Sequence, residues 1–168
     1  MKKFLLVGII SLMLAMNVMA AGDDADGVGI SEVNWGSILP EITETGKVSL
    51  SVDGLGTLQS SGNIQVDKPS ATATVKGAYF LAATTGFENH KLASGDITLN
   101  GAGITWDYET SSSITSWNYW ADVTSDVKST IDAAGAGIVN LAVTESSTSN
   151  VDGTILAVIF EDPSLTVD

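Results

Sequence analysis

The single histidine, His90, is the residue around which nucleophilic or metal chemistry would have to be built. It lies in the polar stretch FENHK at residues 87–91, which lacks the Gly-x-Ser-x-Gly pattern of a serine nucleophile, so a Ser–His–acid triad is not indicated. A zinc centre takes three or four ligands, usually His or Cys, and the chain has no cysteine. The sequence therefore predicts no catalytic residue and no enzyme.

Carboxylates are the other reactive groups, and the chain has 20 Asp and Glu residues. Glycoside hydrolysis uses two carboxylates, so a small glycosidase is a remote alternative, although no pair is marked out by its spacing. Glu161 and Asp162 stand at the end of an apolar run, where a turn is the favoured interpretation. The DDADG stretch at 23–27 is similar to a calcium loop, but the EF-hand spacing fails, because Gly22 and Val33 would occupy its first and last ligand positions. We expect no cofactor, with Ca²⁺ as the alternative that the acidic residues leave open.

Five aromatic residues within the segment 106–120 are the candidate ligand-binding residues: Trp106, Tyr108, Trp117, Tyr119 and Trp120. Aromatic rings exposed on a sheet can stack on sugar rings, whereas buried rings supply the core of a domain that has no disulfide. Strand alternation places Trp117 and Tyr119 on one face and Trp120 on the other. Both sets cannot lie in the same core, so we expect one of them to face solvent.

The N-terminus has the pattern of an export signal. Lys2 and Lys3 precede an apolar run at residues 4–14, and residues 18–20 (VMA) form a small-residue cleavage pattern. The apolar run is shorter than the roughly 20 residues that span a bilayer, so an uncleaved anchor is the less favoured alternative. We predict a signal peptide over residues 1–20, a secreted or cell-surface location, and membrane contact only through this segment before its cleavage.

The charge of the chain is strongly negative, since 7 basic and 20 acidic residues give a formal net charge of −13. Two of the basic residues belong to the predicted signal, so the processed chain would carry five lysines against the same 20 acidic residues, a formal charge of −15. A protein that binds nucleic acid needs cations to neutralise phosphate, so the sequence excludes a nucleic-acid partner. The predicted partners are other surface proteins or glycans.

Short segments of alternating polarity predict the strands that position these residues. Alternation is clear at residues 47–53 and 63–66, and a long β-prone run covers residues 71–83. Residues 153–160 (GTILAVIF) are apolar at almost every position, which is typical of a strand at the centre of a sheet or covered on both sides.

One helix is predicted over residues 125–133, with Thr124 as its cap, and it would connect two strands. Many short strands, frequent glycine turns and one minor helix indicate an all-β fold, an antiparallel β-sandwich of jelly-roll-like kind. The predicted organisation is a flexible lead-in and first edge segment over residues 21–46, followed by one sandwich domain over residues 47–168.

Four segments resemble a family of uncharacterised secreted and cell-surface β-sandwich domains of archaea and bacteria. They are GAYFL at 77–81, ITLNG at 97–101, ADVTSDV at 121–127 and GTILAVIFEDPS at 153–164. The resemblance covers residues 71–168 and implies an opening strand, a hairpin edge, a strand-to-helix corner and a central strand, with no catalytic residues. Because such domains continue past the Glu-Asp-Pro-Ser corner, it also implies either a minimal version or a C-terminally incomplete sandwich. The open edge of such a sandwich would favour self-association.

The function expected from these observations is that of a non-catalytic exported module with a structural or adhesive role. The alternative is a carbohydrate-binding domain that uses exposed aromatic residues, with or without Ca²⁺. Solvent exposure of Trp106, Trp117 and Trp120 separates the two, because buried rings favour a scaffold and a coplanar exposed pair favours a sugar ligand.

Overall fold

The computed structural model describes residues 42–56, 59–146 and 149–166, together with the backbone of Ile10–Leu12. Its strands are β1 (Ile10–Leu12), β2 (Ile42–Glu44), β3 (Val48–Gly56), β4 (Ser61–Lys68), β5 (Thr74–Thr84), β6 (Ile97–Leu99), β7 (Ala102–Gly103), β8 (Tyr108–Ser111), β9 (Trp117–Asp122), β10 (Gly137–Glu145) and β11 (Val151–Glu161). Among these described residues a single helix, α1 (Thr124–Ala133), connects β9 to β10. Outside the described residues lie the remainder of the predicted signal peptide and residues 21–41, which include the DDADG stretch.

Two antiparallel sheets make up the body of the fold. One has five strands in the order β3-β11-β5-β9-β8, and the other has four in the order β4-β10-β6-β7. Strands β1 and β2 form a separate two-stranded sheet. The prediction of an all-β, sandwich-like fold with one short connecting helix is therefore confirmed. No helix within the described ranges has the length and apolar character needed to cross a membrane.

The core lies between the five-stranded and the four-stranded sheets. The inward side chains of both sheets belong to one buried cluster, which includes Phe80, Leu156 and Phe160 from the first and Ile64 and Leu141 from the second. Alternating residues of each strand point inward, as the period of two predicts. Burying a large aliphatic or aromatic side chain contributes about 1.5–3 kcal/mol, so this cluster is the main source of stability in a chain without cysteine.

Strand β11 occupies the centre of the five-stranded sheet. It pairs with β3 on one side and with β5 on the other, which is the position predicted from its apolar run. Because β11 is paired on both sides, the open edge expected at the last strand does not lie there. The edge strands of the two sheets are β3 and β8, and β4 and β7.

Side chains of β3 close the edge of the neighbouring sheet. The backbone N–H of Gln65 in β4 donates to Asp53 Oδ2 at 2.7 Å, and that of Asp67 donates to Ser51 Oγ at 2.9 Å. These hydrogen bonds join the two sheets along one side and satisfy N–H groups that point away from β10. An edge strand whose donors are occupied in this way is protected against pairing with another chain.

The helix begins at Thr124 itself, so the prediction that Thr124 caps it is wrong. Val123 holds the capping position and makes no side-chain cap. The carboxylate of Asp122 instead accepts the N–H of Thr124 at 2.9 Å, while the Thr124 hydroxyl accepts the N–H of Ala78 in β5 at 2.9 Å. The tertiary contact with β5 has therefore taken the hydroxyl that local sequence would assign to the cap.

The C-terminal end of the helix is capped by a lysine from a different element. Lys68, the last residue of β4, is buried, and its Nζ donates to the carbonyl oxygens of Ile131, Asp132 and Ala134 at 3.1, 2.8 and 2.7 Å. The last carbonyls of a helix lack partners within it, and a cation is favoured at that end. Lys68 thus fixes α1 to the four-stranded sheet.

Candidate functional site

The structure divides the five predicted aromatic residues between the two faces of the five-stranded sheet. Trp106, Trp117 and Tyr119 pack on the inner side, in or against the buried core cluster. Tyr108 and Trp120 are directly opposite each other on strands β8 and β9 and lie on the outer side. The alternation predicted for residues 117, 119 and 120 agrees with this arrangement.

The inner group is core packing. The Trp106 ring stacks on Phe80 with centroids 6.3 Å apart, and it lies 5.0 Å from the ring of Tyr119. Tyr119 is fully buried, its hydroxyl accepts the N–H of Leu92 at 2.9 Å, and desolvation by burial raises its pKa. These rings stabilise the interior, where Tyr119 has no exposed surface and Trp106 is only partly exposed.

Trp117, at the rim of the inner group, is already engaged by polar neighbours. Its Nε1 donates to Asn89 Oδ1 at 3.0 Å, and the Lys91 ammonium lies 4.1 Å from the ring centroid in a cation–π contact. Lys91 also forms an ion pair with Glu109. A sugar ring could stack on this face of Trp117 only by displacing the lysine.

The outer side of the five-stranded sheet carries rows of apolar residues. Residues directly opposite each other in antiparallel strands share a face, and one such row crosses all five strands. Its members, in strand order, are Gly54, Ile155, Leu81, Trp120 and Tyr108. Two shorter rows run beside it: Val52, Ala157, Tyr79 and Asp122; and Leu50, Ile159 and Gly77. These three rows are called the apolar outer face below.

Several large side chains of the apolar outer face are open to solvent. The exposed fractions are 38% for Leu50, 53% for Val52, 46% for Ile155 and 53% for Tyr108. Within the three rows Asp122, at the margin, is the one charged residue. Ala157 and Ile159, by contrast, are buried, so the exposed part of the face does not extend over all three rows. An exposed apolar patch on a sheet is typical of a surface that contacts a partner.

Tyr79 is a member of this face that the sequence prediction missed. Its ring makes an edge-to-face contact with Trp120, with centroids 6.3 Å apart. It also lies over Gly77, where an added Cβ would come within 2.9 Å of the Tyr79 hydroxyl oxygen. Burial, followed by the negative charges of Asp122 and Glu44, raises the pKa of Tyr79. The sequence signal that could have pointed to Tyr79 is its position in the β-prone run 71–83.

A groove of about 530 Å³ lies at one end of the apolar outer face. Gly56 and Gly153 are opposite each other on β3 and β11 and leave its floor without side chains. Gly54 belongs to the same floor, and a Cβ there would lie 2.5 Å from the carbonyl oxygen of Thr154. The groove is lined by Gly54, Leu55, Gly56, Leu81, Ala82, Ala83, Asp152, Gly153, Thr154 and Ile155.

The outer side of the four-stranded sheet is polar. One row across it contains Thr98, Thr144 and Ser61, with the two threonine hydroxyls 2.6 Å apart. The next rows pair Ala142 with Asn63, Asn140 with Gln65, and Ile138 with Asp67. Ile138 is the large apolar side chain of this polar outer face, with 55% of its surface exposed.

The described residues among those considered for catalysis or metal binding are not brought together. Asp162 accepts hydrogen bonds from the backbone N–H and hydroxyl of Ser164 and from the hydroxyl of Ser70, which is the turn chemistry expected there. His90 has a buried Nε2 that finds no hydrogen-bond partner among the described residues. Within the described ranges, no group of three or more His, Asp or Glu side chains is placed to hold a metal ion.

Comparisons with protein-family models, with curated proteins and with solved structures found no match for this chain.

Proposed function

We propose that this protein is a non-catalytic module, exported to the cell surface or secreted, which has a structural or adhesive role and acts through its apolar outer face. The observation that carries the proposal is the composition of that face, which is apolar across all five strands in a strongly acidic chain. The leader-like N-terminus supports the export step.

Strand β11 supports the need for a partner. It is apolar on both sides, a pattern typical of strands that are covered on both faces. Its inward residues, such as Leu156 and Phe160, are buried against the four-stranded sheet. On the other side Ala157 and Ile159 are already buried within the chain, and Ile155 remains 46% exposed. Apolar area removed from water contributes about 25 cal/mol per Å², which favours association through this side.

The partner proposed for this face is the same face of a second copy. Two sheets pack face to face at a separation of about 10 Å when both present flat apolar surfaces. Because Asp122 stands at the margin of the rows, pairing two copies leaves their charges outside the contact. The net charge of each copy still repels the other, so association should strengthen as salt screens that repulsion.

Sedimentation velocity over a concentration series, at low and high salt, tests this proposal. We expect the protein to self-associate, Ile155→Lys to remain monomeric, and Ile138→Lys to behave like the unchanged protein. Both substitutions add one lysine at a half-exposed isoleucine, and they differ in the outer face that carries it. A strictly monomeric parent protein at high concentration and high salt, or equal loss of association in both variants, contradicts the proposal.

Carbohydrate binding is the second candidate, and the pair of Tyr108 and Trp120 favours it. The two residues are directly opposite on neighbouring strands of the apolar outer face, and Tyr108 is half exposed. Stacking of a sugar on these rings predicts binding on a glycan array that Tyr108→Ala and Trp120→Ala abolish. Repeating the array with a chelator shows whether Ca²⁺ contributes, and an array without any signal removes this candidate.

A further inference from the structure

Glu145, the last residue of β10, is a buried carboxylic acid. Only 6% of its surface is exposed, and neither of its carboxyl oxygens has a hydrogen-bond partner among the described residues. Its backbone is held in place, because its N–H donates to the carbonyl oxygen of Ser60 and its Cα is opposite Ile97 in β6. Native proteins rarely leave a buried polar group unsatisfied, so such a group calls for an explanation.

The side chain points into the sandwich interior, on the same side of β10 as the buried Leu141 and Val143. The inward residues that end the other strands at this end of the molecule are mainly apolar or small: Leu55, Thr84, Ile97, Val151 and Thr154. The hydroxyl of Thr154 is likewise buried and without a partner in the described ranges. Glu145 and Thr154 are therefore both buried polar side chains that find no partner among the described residues at this end of the interior.

Titratable groups from the surrounding elements lie at the same end, yet none of those described donates a hydrogen bond to Glu145. They are Glu88, His90, Lys91 and Asp96 between β5 and β6, Glu109 in β8, and Asp152 in β11. Lys91 pairs with Glu109, and the Asp96 carboxylate accepts the N–H of Ala93 at 2.7 Å. Desolvation by burial raises the pKa of Glu145 to about 7.

We propose that Glu145 makes this end of the sandwich a pH-sensitive latch, closed while the carboxyl group is protonated and opened when it ionises. A protonated carboxyl can remain among apolar side chains at small cost, whereas an unpaired carboxylate there has lost its hydration without compensation. Ionisation therefore favours states in which the two sheets part at this end and water reaches residue 145.

The direction of the effect follows from linkage. The pKa of Glu145 is higher in the closed state, about 7, than its ordinary value of 4.5, so the closed state holds its proton more tightly. Stability of the closed end is fully present below pH 4.5 and is lost as the pH rises to 7. Over the whole range the equilibrium constant for opening increases roughly 300-fold, and roughly 30-fold of this falls between pH 5.5 and 8.5.

Hydrogen exchange measured by mass spectrometry on the purified protein tests the latch. After correction for the intrinsic pH dependence of exchange, opening of the segments around 141–146 and 151–156 should increase roughly 30-fold from pH 5.5 to 8.5. Glu145→Gln, which keeps the shape and removes the charge, should abolish this increase. Glu88→Gln, an exposed glutamate in the connection at the same end, should leave it unchanged.

A direct titration of the unchanged protein keeps the proposal testable if Glu145→Gln does not fold. With ¹³C-labelled glutamate, one side-chain carboxyl resonance should titrate near pH 7. Two results would overturn the proposal. One is that all glutamate carboxyls titrate near 4.5, and the other is that hydrogen exchange in Glu145→Gln shows the same pH dependence of opening as in the parent protein. The latch and the pairing of outer faces are tested by different readouts, so either can fail alone.

Discussion

The outer faces of the two sheets carry opposite kinds of side chain. On the five-stranded sheet, Ile155, Leu81 and Trp120 follow one another across neighbouring strands. On the four-stranded sheet the corresponding row consists of Ser61, Thr144 and Thr98. Both sheets contribute apolar side chains to the core between them, and the contrast lies in the side chains that they present outwards.

The difference shows which outer face is well solvated by water alone and which would gain from a partner. Hydroxyl and amide side chains on the polar outer face form hydrogen bonds with water and with each other, as Thr98 and Thr144 do. Aliphatic and aromatic side chains on the apolar outer face gain free energy only when water is removed from them. The contact function proposed for this chain is therefore assigned to the five-stranded sheet, and substitutions on each outer face test this assignment.

Substitutions on the two faces of β11 should differ most in their cost to stability. Leu156→Ala removes a buried inward side chain and should lower the free energy of unfolding by about 2–5 kcal/mol. Ile155→Ala, one residue earlier on the outward side, should cost about 1 kcal/mol or less in the monomer. Urea unfolding at low protein concentration measures both. Equal losses would mean that the outward side is packed as tightly as the core.

An intermediate effect is expected at the groove. Gly54→Ala places a Cβ 2.5 Å from the Thr154 carbonyl oxygen, so the backbone must shift, at a cost of about 1–3 kcal/mol. Gly135→Ala serves as the control, because nothing lies within 4 Å of the added atom. Thermal unfolding of the two variants should differ clearly. Unchanged stability in Gly54→Ala would show that β3 and β11 are farther apart than described.

The smallest effect is expected on the polar outer face. Thr144→Val removes the hydroxyl that contacts Thr98 and should change the free energy of unfolding by about 0.5–1 kcal/mol, because water replaces an exposed hydrogen bond. Thr144→Ser keeps the hydroxyl and should retain that contribution. A loss above about 2 kcal/mol in a urea titration of Thr144→Val would mean that this face is not simply solvated.

Local alternation of residues predicted much of the architecture. The apolar run of β11 predicted its central place, and the alternation in β9 placed Trp117 and Tyr119 on one side and Trp120 on the other. In both cases the signal is the two-residue period of a strand, which requires no knowledge of the neighbouring strands. The same period places Glu145 with Leu141 and Val143, so its inward position could have been found.

Long-range pairing could not be predicted in the same way. The apolar outer face becomes visible only when the register brings Ile155, Leu81 and Trp120 into one row. The capping of α1 by Lys68 joins residues far apart in sequence, and the hydroxyl of Thr124 is taken by β5 instead of its own helix. Such contacts depend on which elements become neighbours in the fold, and local propensity carries no information on this.

Hydroxyl-radical footprinting at low and high protein concentration tests the pairing of apolar outer faces most directly. We expect oxidation of Ile155, Leu50 and Tyr108 to decrease as the concentration rises. Ile138, which is exposed on the polar outer face, should be oxidised to the same extent at both concentrations. Protection of Ile138 instead, or no concentration-dependent change at Ile155, would contradict the claim that the five-stranded sheet is the contact surface.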